Sequence, residues 1–299
     1  LSDEEKKKLG EAWFMSGEAH RALKHGQAAL AAYQLCIAYA SPFAYPARYQ
    51  LALAEIDRGR LQVAEEALEQ LLKLLGPAAD DETYEKTLFT LGELHYRRGN
   101  WAAAERRLQE ALERYPANPS AMQARSRLAQ SCCELAKEAS KHGVGESTPQ
   151  TQSHYLALRR KWLEVAAVNF QKLADELAAR QVKEPLSKDE EAMLRQAAFG
   201  AADCRFDLLQ FEEAIRLYDA LSERYRLRVE GLVALRNLWR CFWVKAPTAE
   251  RDRSTYEAAA QAAYAKIAAT LKEMPNSAFD NSAADRTRQY WEDWLANRK

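Results

Sequence analysis

The chain is poor in the features that usually announce specialised chemistry. Its five cysteines, Cys36, Cys132, Cys133, Cys204 and Cys241, are an odd set with no C-x-x-C pair, which argues against a disulfide framework or a zinc site. Each falls inside a helical pattern, where a free thiol behaves as a small hydrophobe, and together they lean towards a reducing, cytoplasmic compartment. An excess of either charge is also missing, because 43 Lys and Arg balance 43 Asp and Glu. A protein that coats a phosphate backbone carries a basic excess or stripe, so no nucleic-acid partner is expected. No run approaches the roughly 18 apolar residues of a membrane span, so no direct membrane insertion is expected of this segment, and no secretory signal opens it. The first residue is Leu1 rather than Met, which reads as a processed or shortened chain with room upstream for a signal, an anchor or a catalytic domain.

Catalytic constellations are equally scarce. The histidines, His20, His25, His95, His142 and His154, show no H-E-x-x-H or similar metal spacing. Gly143-Val144-Gly145-Glu146-Ser147 is too short for a phosphate loop, lacks a Lys-Ser/Thr ending and follows no strand pattern. There is no G-x-S-x-G, and adjacent Cys132 and Cys133 would point in different directions on a helix. Carboxylates such as Glu65, Glu66 and Glu69 read as solvated helix faces with i,i+4 pairing. No enzyme activity, cofactor or metal is expected.

What is present is a core, with 47% apolar residues, and a grammar of small, large and turn residues. In "LGELHYRRGNWAAAERRLQEALERYP", residues 91–116, Gly92 interrupts a strong helix at a cost of about 1 kcal/mol relative to Ala. The cost makes sense if a second helix lies against it, since a residue without a side chain lets two backbones approach. Gly99-Asn100 then ends the helix, Trp101 starts the next and Pro116 stops it. The set Leu88, Leu91, Gly92 and His95, then Ala104, Leu108, Ala111 and Pro116, resembles the tetratricopeptide repeat (TPR) pattern W-x2-L-G-x2-Y…A-x3-F…P. His95 takes the aromatic place and Leu88 that of the tryptophan.

Similar sets recur at Ala19, Gly26, Ala31 and Leu35, and at Ala52, Gly59, Ala64 and Leu68. A fourth unit runs from Ala129 to Ala166 and Phe170, and a fifth uses Ala202, Phe211, Ala214 and Tyr218. A sixth is looser, with Leu235, Leu238, Trp239 and Phe242, then Ala260, Tyr264 and Ile267. Capping boxes at Ser2…Glu5, Ser187…Glu190 and Ser254…Glu257 agree with this parsing, and no stretch alternates with period two. The expected fold is all-α, a right-handed TPR-like solenoid of about six helix pairs plus a C-terminal capping helix. One continuous stack is expected, with repeats one to four over 1–180 and repeats five and six over 181–299.

Two departures stand out. In the fourth unit the helices extend to about Ser140 and from about Ser153, making a hairpin over 135–162 held by Leu135, Tyr155, Leu158 and Trp162, with a loop expected over 141–152. The last helix sets Tyr290, Trp291, Trp294 and Leu295 along one side, as an end cap or as a docking surface.

The TPR resemblance implies a groove lined by the first helix of each pair, and hence a protein or peptide partner. The stripe opposite the core of each first helix supplies Tyr49 and Leu53 with Ile56, then Phe89, Glu93 and Tyr96, then Gln130 with Ser126 and Cys133. Further along come Phe199 and Phe206 with Asp203, and Arg236, Arg240 and Trp243. Phe89 and Glu93 do not supply the basic and Asn clamp by which some TPR modules hold acidic chaperone tails. The junction "ERYPANPSAMQAR", residues 113–125, is similar to junctions in bacterial cell-envelope TPR scaffold proteins. The functional expectation is a non-catalytic scaffold that binds a partner peptide or helix in the groove. The alternatives are an assembly component of a larger complex, such as one of the cell envelope, or an accessory domain of a larger enzyme.

Overall fold

A computed structural model describes residues 1–76, 82–144, 148–248, 252–280 and 286–297. Among the described residues there are thirteen α-helices, two short 3-10 helices and no strand, an all-α helical-repeat solenoid. The first three pairs are α1 (Asp3–Ala22) with α2 (Gly26–Ala38), α3 (Ala44–Asp57) with α4 (Leu61–Leu75), and α5 (Glu82–Arg97) with α6 (Trp101–Arg114). The next three are α7 (Ala121–Val144) with α8 (Pro149–Lys183), α9 (Lys188–Asp207) with α10 (Phe211–Arg224), and α11 (Val229–Lys245) with α12 (Arg253–Glu273). Helix α13 (Arg288–Ala296) follows. The chain forms two compact units, Leu1–Ser131 and Cys132–Lys299, the border falling inside α7.

One turn is used four times within helix pairs. Lys24, Gly59, Gly99 and Leu209 all have φ between 60° and 74°, each two residues ahead of the next helix. The amide after each donates to a carbonyl five residues back: His25 to His20, Arg60 to Glu55, Asn100 to His95 and Gln210 to Arg205. This satisfies a carbonyl the helix end would otherwise leave orphaned. The turn expected at Gly26 is therefore made by Lys24, and Gly26 is the first helical residue of α2.

That shift changes the register of the first repeat. Ala31 is exposed and Leu35 is 42% exposed, whereas Ala29, Ala32 and Tyr33 are buried. The small residue that admits the second helix is Gly17, not Ala19: a Cβ there would collide with the Tyr33 ring. Gly17 and Tyr33, Ala52 and Leu68, Gly92 and Leu108, and Ala202 and Tyr218 share one spacing, and the large member of each pair is buried. Where that member is tyrosine, the residue after the small one is acidic and receives its hydroxyl. Tyr33 donates to Glu18 at 2.5 Å, and Tyr218 donates to Asp203.

The capping boxes at Ser2 and Ser187 form as the sequence indicates. The one expected at Ser254 does not, because α12 begins two residues earlier, with Asp252 at its N-cap, and Glu257 pairs with Arg253 at 2.8 Å. In the fourth pair both helices run further than expected, α7 to Val144 and α8 from Pro149. Thr148 caps α8 with Pro149 in its first turn, where a missing N–H costs nothing. Residues 141–144 and 149–152 are thus helical rather than loop, and 145–147 lie outside the described residues. His142 stacks on Tyr155 across the hairpin, ring centroids 5.4 Å apart.

The second unit's core includes Tyr218, Leu232, Leu235, Ile267 and Trp291. Trp239 fits by forming a cluster of its own with Ala260 and Ala263. The last helix behaves as a packed cap: Trp291 is fully buried, Trp294 meets Trp239 edge-on at 5.4 Å, and the Tyr264 hydroxyl donates to the Leu295 carbonyl.

Candidate functional site

The first unit carries a cleft of about 360 Å³ lined chiefly by first helices. Helix α3 supplies Leu53 and Ile56; α5 supplies Phe89, Thr90, Glu93 and Arg97; Gln123 comes from the start of α7. The floor is apolar, with Leu94 and Leu108 beneath, and the rim is polar, the composition of a ligand-orienting pocket. Leu53, Phe89 and Glu93 meet here as the stripe pattern expects. Phe89 is only 8% exposed, so it presents little surface to a ligand.

The other aromatic positions are engaged within their own or neighbouring repeats. Tyr49 shares a hydrogen bond with Thr90 Oγ1 at 2.9 Å, which fixes Thr90 on the cleft wall. Tyr96 donates to Gln130, lies edge-on to Trp101 and carries the Arg127 guanidinium 4.4 Å above its ring. In the second unit Phe199 packs on Tyr225 and Phe206 on Phe211, with Arg240 4.3 Å over the Phe206 ring. Arg236 donates to the Tyr290 hydroxyl at 2.9 Å. Trp243 stacks on Trp239 yet stays 60% exposed.

Thr90, Arg97 and Gln123 are cleft residues outside the expected set. Gln123 and Arg127 stand 34 residues after Phe89 and Glu93, and Gln130 stands 34 after Tyr96. Hydrogen bonds from Arg127 to Glu93 and from Tyr96 to Gln130 show that this spacing aligns adjacent first helices. Aligning Ser126 with Phe89 skips to the next turn, and Ser126 is buried. The family period is the signal that points to Gln123.

Charges around the cleft are internally balanced. Glu93 accepts from Arg97 at 2.9 Å and from Arg127 at 3.1 Å, so it has no free carboxylate calling for a basic partner residue. Behind α5, His95 is 4% exposed, with Glu65 and Glu69 of α4 each 3.6 Å from one ring nitrogen. Arg98 binds Glu65, and Arg107 binds Glu69 at 2.6 Å. Burial holds the His95 imidazole below its usual range, against the pull of both carboxylates. Among the described residues, no three His, Cys, Asp or Glu side chains gather as a metal site. No helix there is long and apolar enough to cross a membrane.

The family model for the tetratricopeptide repeat matches residues 43–117, the stretch that builds α3 to α6 and most of the cleft. Over these residues the chain is similar to tetratricopeptide repeats. Two solved structures are also similar, both described as nearly identical TPR-like repeats of a kinesin light chain from Podosopora anserina. One shares 14% identity over 74% of this chain and 95% of its own, with a TM-score of 0.42. The other, a point variant of the same repeats, shares 15% over 75% and 96%, with a TM-score of 0.41. Among curated proteins no sequence matches. Tetratricopeptide repeats mediate protein–protein interaction and are typically non-catalytic.

Proposed function

We propose that the chain is a non-catalytic docking scaffold whose first-unit cleft takes an extended peptide or a helix with one apolar anchor. One observation carries this reading: Leu53, Ile56 and Phe89, from two first helices, converge on a single cleft with an apolar floor. An anchor side chain there would bury its apolar surface, while Thr90, Arg97 and Gln123 orient the flanking backbone. The test is a peptide-display selection on the purified chain, followed by affinity measurements on Gln123→Trp and Leu53→Glu. Gln123 is exposed, so a tryptophan there plugs the cleft without entering the core. Both variants should lose at least about 30-fold, the size of a hot-spot loss near 2 kcal/mol, with unchanged helicity. Selected peptides that bind both variants as tightly as the parent chain would overturn the reading.

A second reading, an assembly contact through the second unit, has its own observation. Trp243 and Val244, at the end of α11, are 60% and 41% exposed. Loss of partner capture by Trp243→Ala, with the cleft variants unaffected, would favour it.

A further inference from the structure

All five cysteines are free thiols, but two of them meet. Cys133 on α7 and Cys204 on α9 both belong to the second unit, and their Sγ atoms stand 3.8 Å apart. Sulfurs on separate helices seldom come so close; here they are in van der Waals contact and must close to about 2.05 Å to bond. The two are not equivalent. Cys204 is 2% exposed, whereas Cys133 is half-buried.

Their surroundings separate them further. Contact with the Cys204 thiol and the charge of Lys137, one turn along α7, favour the Cys133 thiolate over the opposing effect of burial. The Cys133 sulfur and burial hold Cys204 protonated. The remaining thiols offer no such pair: burial pushes Cys36 up to about 11 and Cys241 up to about 12, and Cys132 is fully buried. A less buried thiol in contact with a second, buried thiol is an arrangement that two-step disulfide exchange uses.

We propose that Cys133 and Cys204 form a thiol–disulfide exchange site whose substrate is a small-molecule disulfide of the glutathione class. The Cys133 thiolate attacks one sulfur of the substrate disulfide, forming a mixed disulfide and releasing one thiolate. Cys204 then gives up its proton and attacks Cys133 Sγ, forming the protein disulfide and releasing the second thiolate. Two protein thiols are oxidised to one disulfide, and the substrate disulfide is reduced to two thiols. The product ties α7 to α9, the first helices of successive pairs.

The test uses the full chain, reduced, equilibrated with excess oxidised glutathione, freed of glutathione under acid quench, and then titrated for thiols after denaturation. The count should fall from five to three, and peptide mapping should place the cross-link between Cys133 and Cys204. Cys204→Ser should accumulate one glutathionyl adduct on Cys133, since nothing resolves it. Cys133→Ser should keep all its remaining thiols. Five thiols persisting in the folded parent chain, or a cross-link mapping to any other pair, would overturn the proposal, and so would an adduct on Cys132 in the Cys204→Ser variant.

Discussion

Gly92 lies directly against Leu108, so close that a Cβ on residue 92 would fall 2.5 Å from Leu108 Cδ2 and 2.7 Å from its Cγ. The contact joins α5 to α6, and Leu108 is 1% exposed. Replacing Gly92 by Leu should overpack the pair and cost about 1–3 kcal/mol despite better helix propensity. Urea denaturation of the variant checks this. An unchanged midpoint would mean that the two helices are not held at this distance.

Leu209 makes the same left-handed turn as Gly59 and Gly99, but with a side chain that disfavours φ near +60°. It is 68% exposed and contributes little burial. Leu209→Gly should therefore stabilise the second unit by up to about 1 kcal/mol, the relief of strain exceeding the added freedom of the unfolded chain. A lower melting temperature would contradict the strain argument.

The tyrosine–carboxylate pairs predict a matched loss. Tyr33→Phe and Tyr218→Phe keep the packed ring but remove the donor to Glu18 and to Asp203. Each should cost about 1 kcal/mol, the usual net worth of an intramolecular hydrogen bond, with no change in helicity. Leu68 and Leu108 occupy the same place with no such donor, so the deficit should stay local to the tyrosine repeats.

His95 gives the first unit a pH dependence of defined sign. Burial depresses its folded value below 6.5, while in the unfolded chain it titrates near about 6.5. Between those values the unfolded chain binds more protons, so the contribution is complete above about pH 6.5 and is lost as the pH falls through the folded value. Urea midpoints measured from pH 8 down to pH 5 should decline for the parent chain and flatten for His95→Gln. Equal slopes would show that Glu65 and Glu69 offset the burial.

Trp291 is the fully buried anchor of α13, and Trp291→Ala should cost about 3–5 kcal/mol, as large cavities do. Thermal unfolding followed by tryptophan fluorescence reads the loss. A change below about 1 kcal/mol would mean that α13 does not hold this position.

The sequence by itself determined what is local or periodic. Gly92 and Leu108 mark a helix pair because small and large residues at that spacing have one common use, and Ser2 and Ser187 mark helix starts through backbone groups within four residues. The cap at Ser254 fails for the same locality: the helix needs only to begin two residues earlier for Glu257 to find Arg253 instead. The first repeat misleads because Gly26 and Leu35 mimic a turn glycine and a core leucine. Two residues of error turn a helix face by more than half a circle, since each residue advances it by about 100°. Only the tertiary structure decided that Lys24 makes that turn and that Tyr33 packs on Gly17. It also decided that Phe89 is buried while Tyr96 is engaged by Gln130, Trp101 and Arg127, and that Cys133 meets Cys204. Those outcomes depend on which side chains of other helices arrive at a given face, and no spacing within one helix encodes them.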